Sequence, residues 1–90
     1  MKNLAEFKRE IKIGDEVVLT FSRFAHPYLN KVRKVTIKQT NCIAFEPLEE
    51  GKGPSYLPFP KASAFRGKDK GWEIFDGDQK ILAYEIKGVA

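Results

Sequence analysis

Ninety residues, 42% hydrophobic and 31% charged, are enough for one domain, and one small enough to bury only about 60–65% of its unfolded surface. That composition excludes a disordered or fibrous chain, and no apolar run approaches the ~20 residues of a membrane-spanning helix. The net charge of +4 is uneven: residues 1–45 hold nine Lys/Arg against four Asp/Glu, residues 46–90 seven against eight. A basic first half is expected either to meet a polyanion or simply to keep the chain soluble.

The opening, MKNLAEFKREIKIG, has no apolar centre or small-residue cleavage site, so a secretory signal is not expected and the default location is cytoplasmic. The lone Cys42 agrees, because small secreted domains are usually stapled by paired cysteines. Within this opening, Leu4, Phe7 and Ile11 recur on one helical face, with Lys8, Arg9 and Glu10 on the other. Asn3 and Glu6 have the spacing of a capping box. A helix this short is unstable by itself and must dock on the mouth or edge of something larger.

Gly14-Asp15 breaks the chain, and Glu16–Ser22 alternates as a strand, with Val17, Leu19 and Phe21 on the expected core face. The segment Arg23–Asn30 is irregular, with His26 held extended by Pro27. It nevertheless carries Phe24, Tyr28 and Leu29, which either fold back over the core or are displayed. Lys31–Glu46 holds the clearest pattern: Val35 and Ile37 point inward, Lys34, Thr36 and Lys38 outward, and after a turn at Thr40-Asn41 the parity resumes at Ile43 and Phe45. That is a hairpin with a wet, basic face.

From Pro47 to Pro60, glycines and prolines mark a turn and then a broken strand with Leu57 and Phe59 on one face and Tyr56 on the other. Pro58 lacks an amide hydrogen and confines that strand to an edge. Lys61–Phe65 reads as a turn of helix or a bent strand, and Arg66–Gly71 as an exposed basic loop. The last stretch, GWEIFDGDQKILAYEI, is a second hairpin, because Asp76-Gly77-Asp78 supplies the backbone freedom of a tight turn. A Gly77-Asp78 loop pairs Ile74 with Ile81 and Trp72 with Ala83; the Asp76-Gly77 alternative pairs Trp72 with Ile81. Trp72 is expected in the core.

These elements predict a mainly β fold: a small barrel of five or six antiparallel strands over residues 13–90, with a short helix in residues 1–12, all one domain. The run IKIGDEVVLTF, a long loop and then KVRKVTIKQTNCIAFEP together resemble the opening of SH3-like barrels, including the KOW type of ribosome-associated and transcription proteins. The likeness covers about residues 11–46. The KOW loop glycines are missing from Ser22–Asn30, so what the resemblance implies is the fold, and function does not follow from fold.

Catalytic and metal chemistry is not expected. One His and one Cys make no ligand cluster, no nucleophile elbow, P-loop or dinucleotide fingerprint occurs, and no cofactor is implied. What stands out is a basic strand beside aromatic side chains. Cations track phosphates and flat rings stack on bases, so Arg23, Phe24, His26, Tyr28, Lys31, Arg33, Lys34 and Lys38 are the candidate contact residues. The expected activity is a non-enzymatic binding module for RNA or DNA. The alternative is a protein-interaction module or small phage-type inhibitor that uses the aromatic loop against an acidic protein surface.

Overall fold

A computed structural model describes residues 3–89. The helix α1 (Leu4–Glu10) starts where expected: the Asn3 side chain accepts a hydrogen bond from the Glu6 amide at 2.8 Å, satisfying one of the helix's orphan donors. Seven strands follow: β1 (Glu16–Ser22), β2 (Val32–Lys38), β3 (Cys42–Phe45), β4 (Ser55–Pro58), β5 (Phe65–Lys68), β6 (Gly71–Asp76) and β7 (Gln79–Gly88). A 3-10 turn at Ala62–Ala64 leads into β5. The expected basic loop at Arg66–Gly71 is therefore mostly strand: Arg66 pairs with Glu73 and Lys68 with Gly71, and only Asp69 and Lys70 form the turn.

All strands belong to one antiparallel sheet, in the order β4-β3-β2-β1-β7-β6-β5. The sheet is open, which corrects the expected closed barrel of five or six strands: β4 and β5 each have a neighbour on one side only. Two physical reasons keep them apart. Pro58 has no donor for a further ladder, and α1 occupies the gap. The Phe7 ring lies 5.7 Å from Phe59, just beyond β4, and 5.2 Å from Phe65, at the start of β5. It also packs 4.5 Å from Trp72. A side chain of the helix thus does what a ladder of backbone hydrogen bonds would do in a closed sheet.

The core continues inward from Phe7 as a line of rings. Trp72, with no exposed surface, stacks on Tyr84 at 4.7 Å, and Tyr84 stacks on Phe45 at 6.0 Å. Val17, Leu19, Val35 and Ile43 fill the sides. Burial pushes the Tyr84 phenol up to about 12, partly opposed by the nearby Arg33 charge. Phenolate is thereby kept out of the interior.

Bulges curl the sheet and alter which side chains face in. Between β1 and β7, Leu19 pairs with Tyr84 but Phe21 with Ala83. Thr20 is the extra residue, and its hydroxyl donates to the Ala83 carbonyl at 3.2 Å. Phe21 consequently leaves the core face assigned to it and is 38% exposed. The C-terminal hairpin has the preferred two-residue loop, with Asp76 opposite Gln79 and Gly77 at φ 60°. A bulge at Ile81 then shifts the rest, so Ile74 pairs with Leu82 and Trp72 with Tyr84 rather than with Ile81 and Ala83. This shift places Trp72 and Tyr84 on the same inward face.

At Gly71 the backbone of β6 closely approaches that of β7. A Cβ there would lie 2.0 Å from the Tyr84 carbonyl oxygen, so no larger residue fits without moving β7.

Phe7→Ala is expected to cost about 3–5 kcal/mol, the range for truncating a buried aromatic, which is a large share of the total stability of about 5–15 kcal/mol. Denaturant unfolding followed by tryptophan fluorescence measures it. A loss below about 1 kcal/mol would mean that the sheet holds together without its seal.

Candidate functional site

The eight candidate residues do not form one face. Lys38 departs most clearly. Val35 pairs with Phe45 but Ile37 with Ala44, so Thr36 is an extra residue in β2 and the pairing register shifts beyond it, while the alternation of exposure runs on through Ile37 and Lys38. Lys38 then stands opposite the fully buried Ile43, and its ammonium donates to the Ile11 carbonyl at 2.7 Å. Ile11 is the C-terminal cap of α1, where a cation satisfies an orphan carbonyl and suits the helix dipole. Lys34, Thr36 and Lys38 all remain exposed, as the outward stripe requires, but the ammonium of Lys38 is engaged as a helix anchor.

Lys34 remains on the outer face, opposite Glu16 in the ladder. Its backbone amide meets the Glu46 carboxylate at 3.4 Å. Two acids therefore lower the potential around it, although its ammonium makes no ion pair among the described residues. The same holds for Arg23 and Lys31, both exposed. The pairing elsewhere is different: Glu73 is gripped by Lys68 and Lys80, each at 3.3 Å. Burial alone would raise the Glu73 pKa, but the two lysines outweigh it and hold the carboxyl below its ordinary value.

The β1–β2 connection gathers the aromatic candidates. Phe24 is displayed, 69% exposed, with the Arg23 guanidinium 5.6 Å from its ring centre. Tyr28 is half-buried and tilts against His26 at 5.1 Å, and its amide donates to His26 Nδ1 at 3.1 Å. The two readings of this segment are thus divided between its residues: Phe24 faces out, and Tyr28 folds back.

Tyr28 folds back onto Arg33. Paired with Val17 on the inward face of the sheet, Arg33 is only 7% exposed. Its guanidinium carbon lies 3.8 Å from the Tyr28 ring centre and 4.6 Å from that of Phe45. Burial lowers the Arg33 pKa, and Tyr28, Tyr84 and Glu46 partly oppose this. Arg33 is a buried cation, then, not a member of a surface track. Its parity with Val35 was visible in the sequence.

Three further apolar residues at this end are exposed but are not among the candidate contact residues: the sequence places Leu29 among those either folded back or displayed and Phe21 in the core, and does not single out Val32. Leu29 and Val32 are exposed, at 37% and 53%, and Phe21 lies beneath the Lys80 ammonium at 4.7 Å. Val32 could have been found, since it alternates with Arg33. Phe21 could not, because its exposure depends on the bulge at Thr20.

No family model, curated protein or solved structure matches this chain. Among the described residues no cluster of His, Cys, Asp and Glu could hold a metal ion, and no helix is long and apolar enough to cross a membrane.

His26 gives the site a pH dependence. Burial, and secondarily the Arg33 charge, lower its pKa below the ordinary 6.5. As pH falls through 6.5 the unfolded chain takes up a proton that the folded chain resists, so stability declines below that pH and is fully present above it. Protonation at Nδ1 also removes the acceptor for the Tyr28 amide. Thermal unfolding from about pH 7.5 to 5.5 is expected to show a fall in Tm that His26→Asn reduces. An equal fall in the variant would assign it to other groups.

Proposed function

We propose that this protein is a non-enzymatic binding module for single-stranded nucleic acid, engaging it at the β1–β2 end through Arg23, Lys31 and Lys34 for phosphates and Phe24 for a base. The observation that carries the reading is a ring that is 69% exposed with the Arg23 guanidinium 5.6 Å from its centre, on a chain segment whose cations Arg23, Lys31 and Lys34 make no ion pair among the described residues. Exposed rings accept any base by stacking, at about 1–3 kcal/mol per base. Lys38 is left out of this surface because its ammonium is already engaged.

We read the fold as a relative of the SH3-like barrel in which α1 replaces the closing ladder. Support comes from the strand order through β1, β2 and β3 and from the long connection between the first two. A second reading, an interaction module for an acidic protein surface, is favoured by the exposed Leu29 and Val32 beside the same cations, since apolar contact adds more to protein docking than to phosphate binding.

Gel retardation of short single-stranded RNA and DNA separates the two. Affinity is expected to fall by a decade or more between about 50 and 200 mM salt. Replacing Arg23 and Lys31 together with alanine should reduce the salt slope by about two without affecting the fold, as both are exposed. Phe24→Ala should weaken binding about tenfold or more at every salt concentration. Absence of retardation at the lowest salt removes the nucleic-acid reading.

A further inference from the structure

Arg33 has an unresolved need. Its Nε and Nη2 are buried without a hydrogen-bond partner among the described residues, in a side chain more than nine-tenths buried. The rings of Tyr28 and Phe45 do not meet that need. An aromatic ring attracts a guanidinium through the face of its π system, whereas the N–H donors lie in the guanidinium plane and point outward along its edge. Glu46 acts on the charge from a distance but forms no ion pair with it among the described residues. Adjacent in-plane donors on an arginine edge match the paired oxygens of a phosphate or carboxylate.

The Tyr28 ring lies on the face of the guanidinium beside this edge, and its side chain makes no hydrogen bond to another element among the described residues. The connection is tied to the sheet at Arg23, whose amide donates to the Ile81 carbonyl, and at Leu29 and Asn30, which bridge to Leu19 of β1; its other backbone bonds are local, Leu29 to His26, Lys31 to Tyr28, and Tyr28 to His26 Nδ1. The Tyr28 side chain can turn outward without breaking a bond to the sheet.

We infer that Arg33 is an oxyanion-recognition residue: its Nε and Nη2 take a phosphate group once Tyr28 swings off the guanidinium. That the phosphate belongs to a nucleic-acid strand rests on the reading above. Arg33 then supplies geometric selection that the exposed cations do not, because a ligand must displace the tyrosine to reach it. The buried charge is an element of the binding site carried at a cost to stability, since a cation removed from water without an ionic partner is unfavourable to the fold.

Two measurements on the full chain test this. In the first, the Arg33 Nε–Hε resonance is followed by NMR during titration with a short oligothymidylate and, separately, with inorganic pyrophosphate. The inference expects Hε to move downfield and saturate with either. In the second, Arg33→Met is compared with the parent. It is expected to keep or raise Tm, to bind oligothymidylate about tenfold or more weakly, and to reduce the salt slope by about one. Should Arg33→Met fail to fold, Arg33→Lys keeps the charge, loses the in-plane pair, and is expected to show the same loss of affinity.

An Hε that moves with neither probe, while the Lys31 and Lys34 amides respond to oligothymidylate, overturns the inference and leaves the nucleic-acid reading standing. An Hε that moves with pyrophosphate in a protein that retards no nucleic acid does the reverse. A folded Arg33→Met with lower Tm and unchanged affinity assigns Arg33 to holding the loop and overturns the inference.

Discussion

The architecture depends on the Phe7 ring. A sheet of seven strands that has been curled by bulges brings its two outer strands toward one another, and here they stop short of pairing. Phe7 fills the remaining gap by touching Phe59 on one side and Phe65 on the other, with Trp72 beneath. The helix that carries it has seven residues, too few to persist in water alone. Helix and sheet therefore stabilise each other: the sheet supplies an apolar slot, and the helix removes the rings lining that slot from solvent. Lys38 and the Asn3 cap fasten the two ends of the helix.

This arrangement makes the molecule asymmetric. At the helix end the Lys38 ammonium is bonded to the helix terminus, and the Trp72 Nε1 beneath Phe7 is buried without a hydrogen-bond partner among the described residues. At the β1–β2 connection Arg23 has the Phe24 ring beside it and Lys31 is exposed without an ion pair among the described residues, and the buried Arg33 has rings but no acceptor. The line of aromatics Phe7, Trp72, Tyr84 and Phe45 joins the two ends through the core.

Much of the fold was legible in the sequence because it is written in local patterns. The helix bounds follow from Asn3, Phe7 and Ile11, β1 from its alternation, the edge position of β4 from Pro58, and the last turn from Asp76-Gly77-Asp78. What could not be read was where the alternation slips. A bulge inserts one residue without any change of composition, and each one shifts the pairing beyond it: Thr20 turned Phe21 outward, Thr36 set Lys38 opposite Ile43, and Ile81 moved Trp72 onto Tyr84. Closure was equally hidden, since it depends on how far the sheet curls and not on any one strand. At the site, Phe24 and Lys31 stand exposed as their types suggest. Arg33 was misjudged for a different reason: its parity assigns it to the core, but arginine is so seldom buried that residue type prevailed over position.

Backbone hydrogen exchange in the presence and absence of a single-stranded oligonucleotide tests the central claim most directly. Binding at the β1–β2 end predicts slowed exchange confined to residues 23–34, with β4 and β5 unchanged. Protection of the β4 or β5 edge instead, or none in 23–34 at saturating ligand, would contradict it.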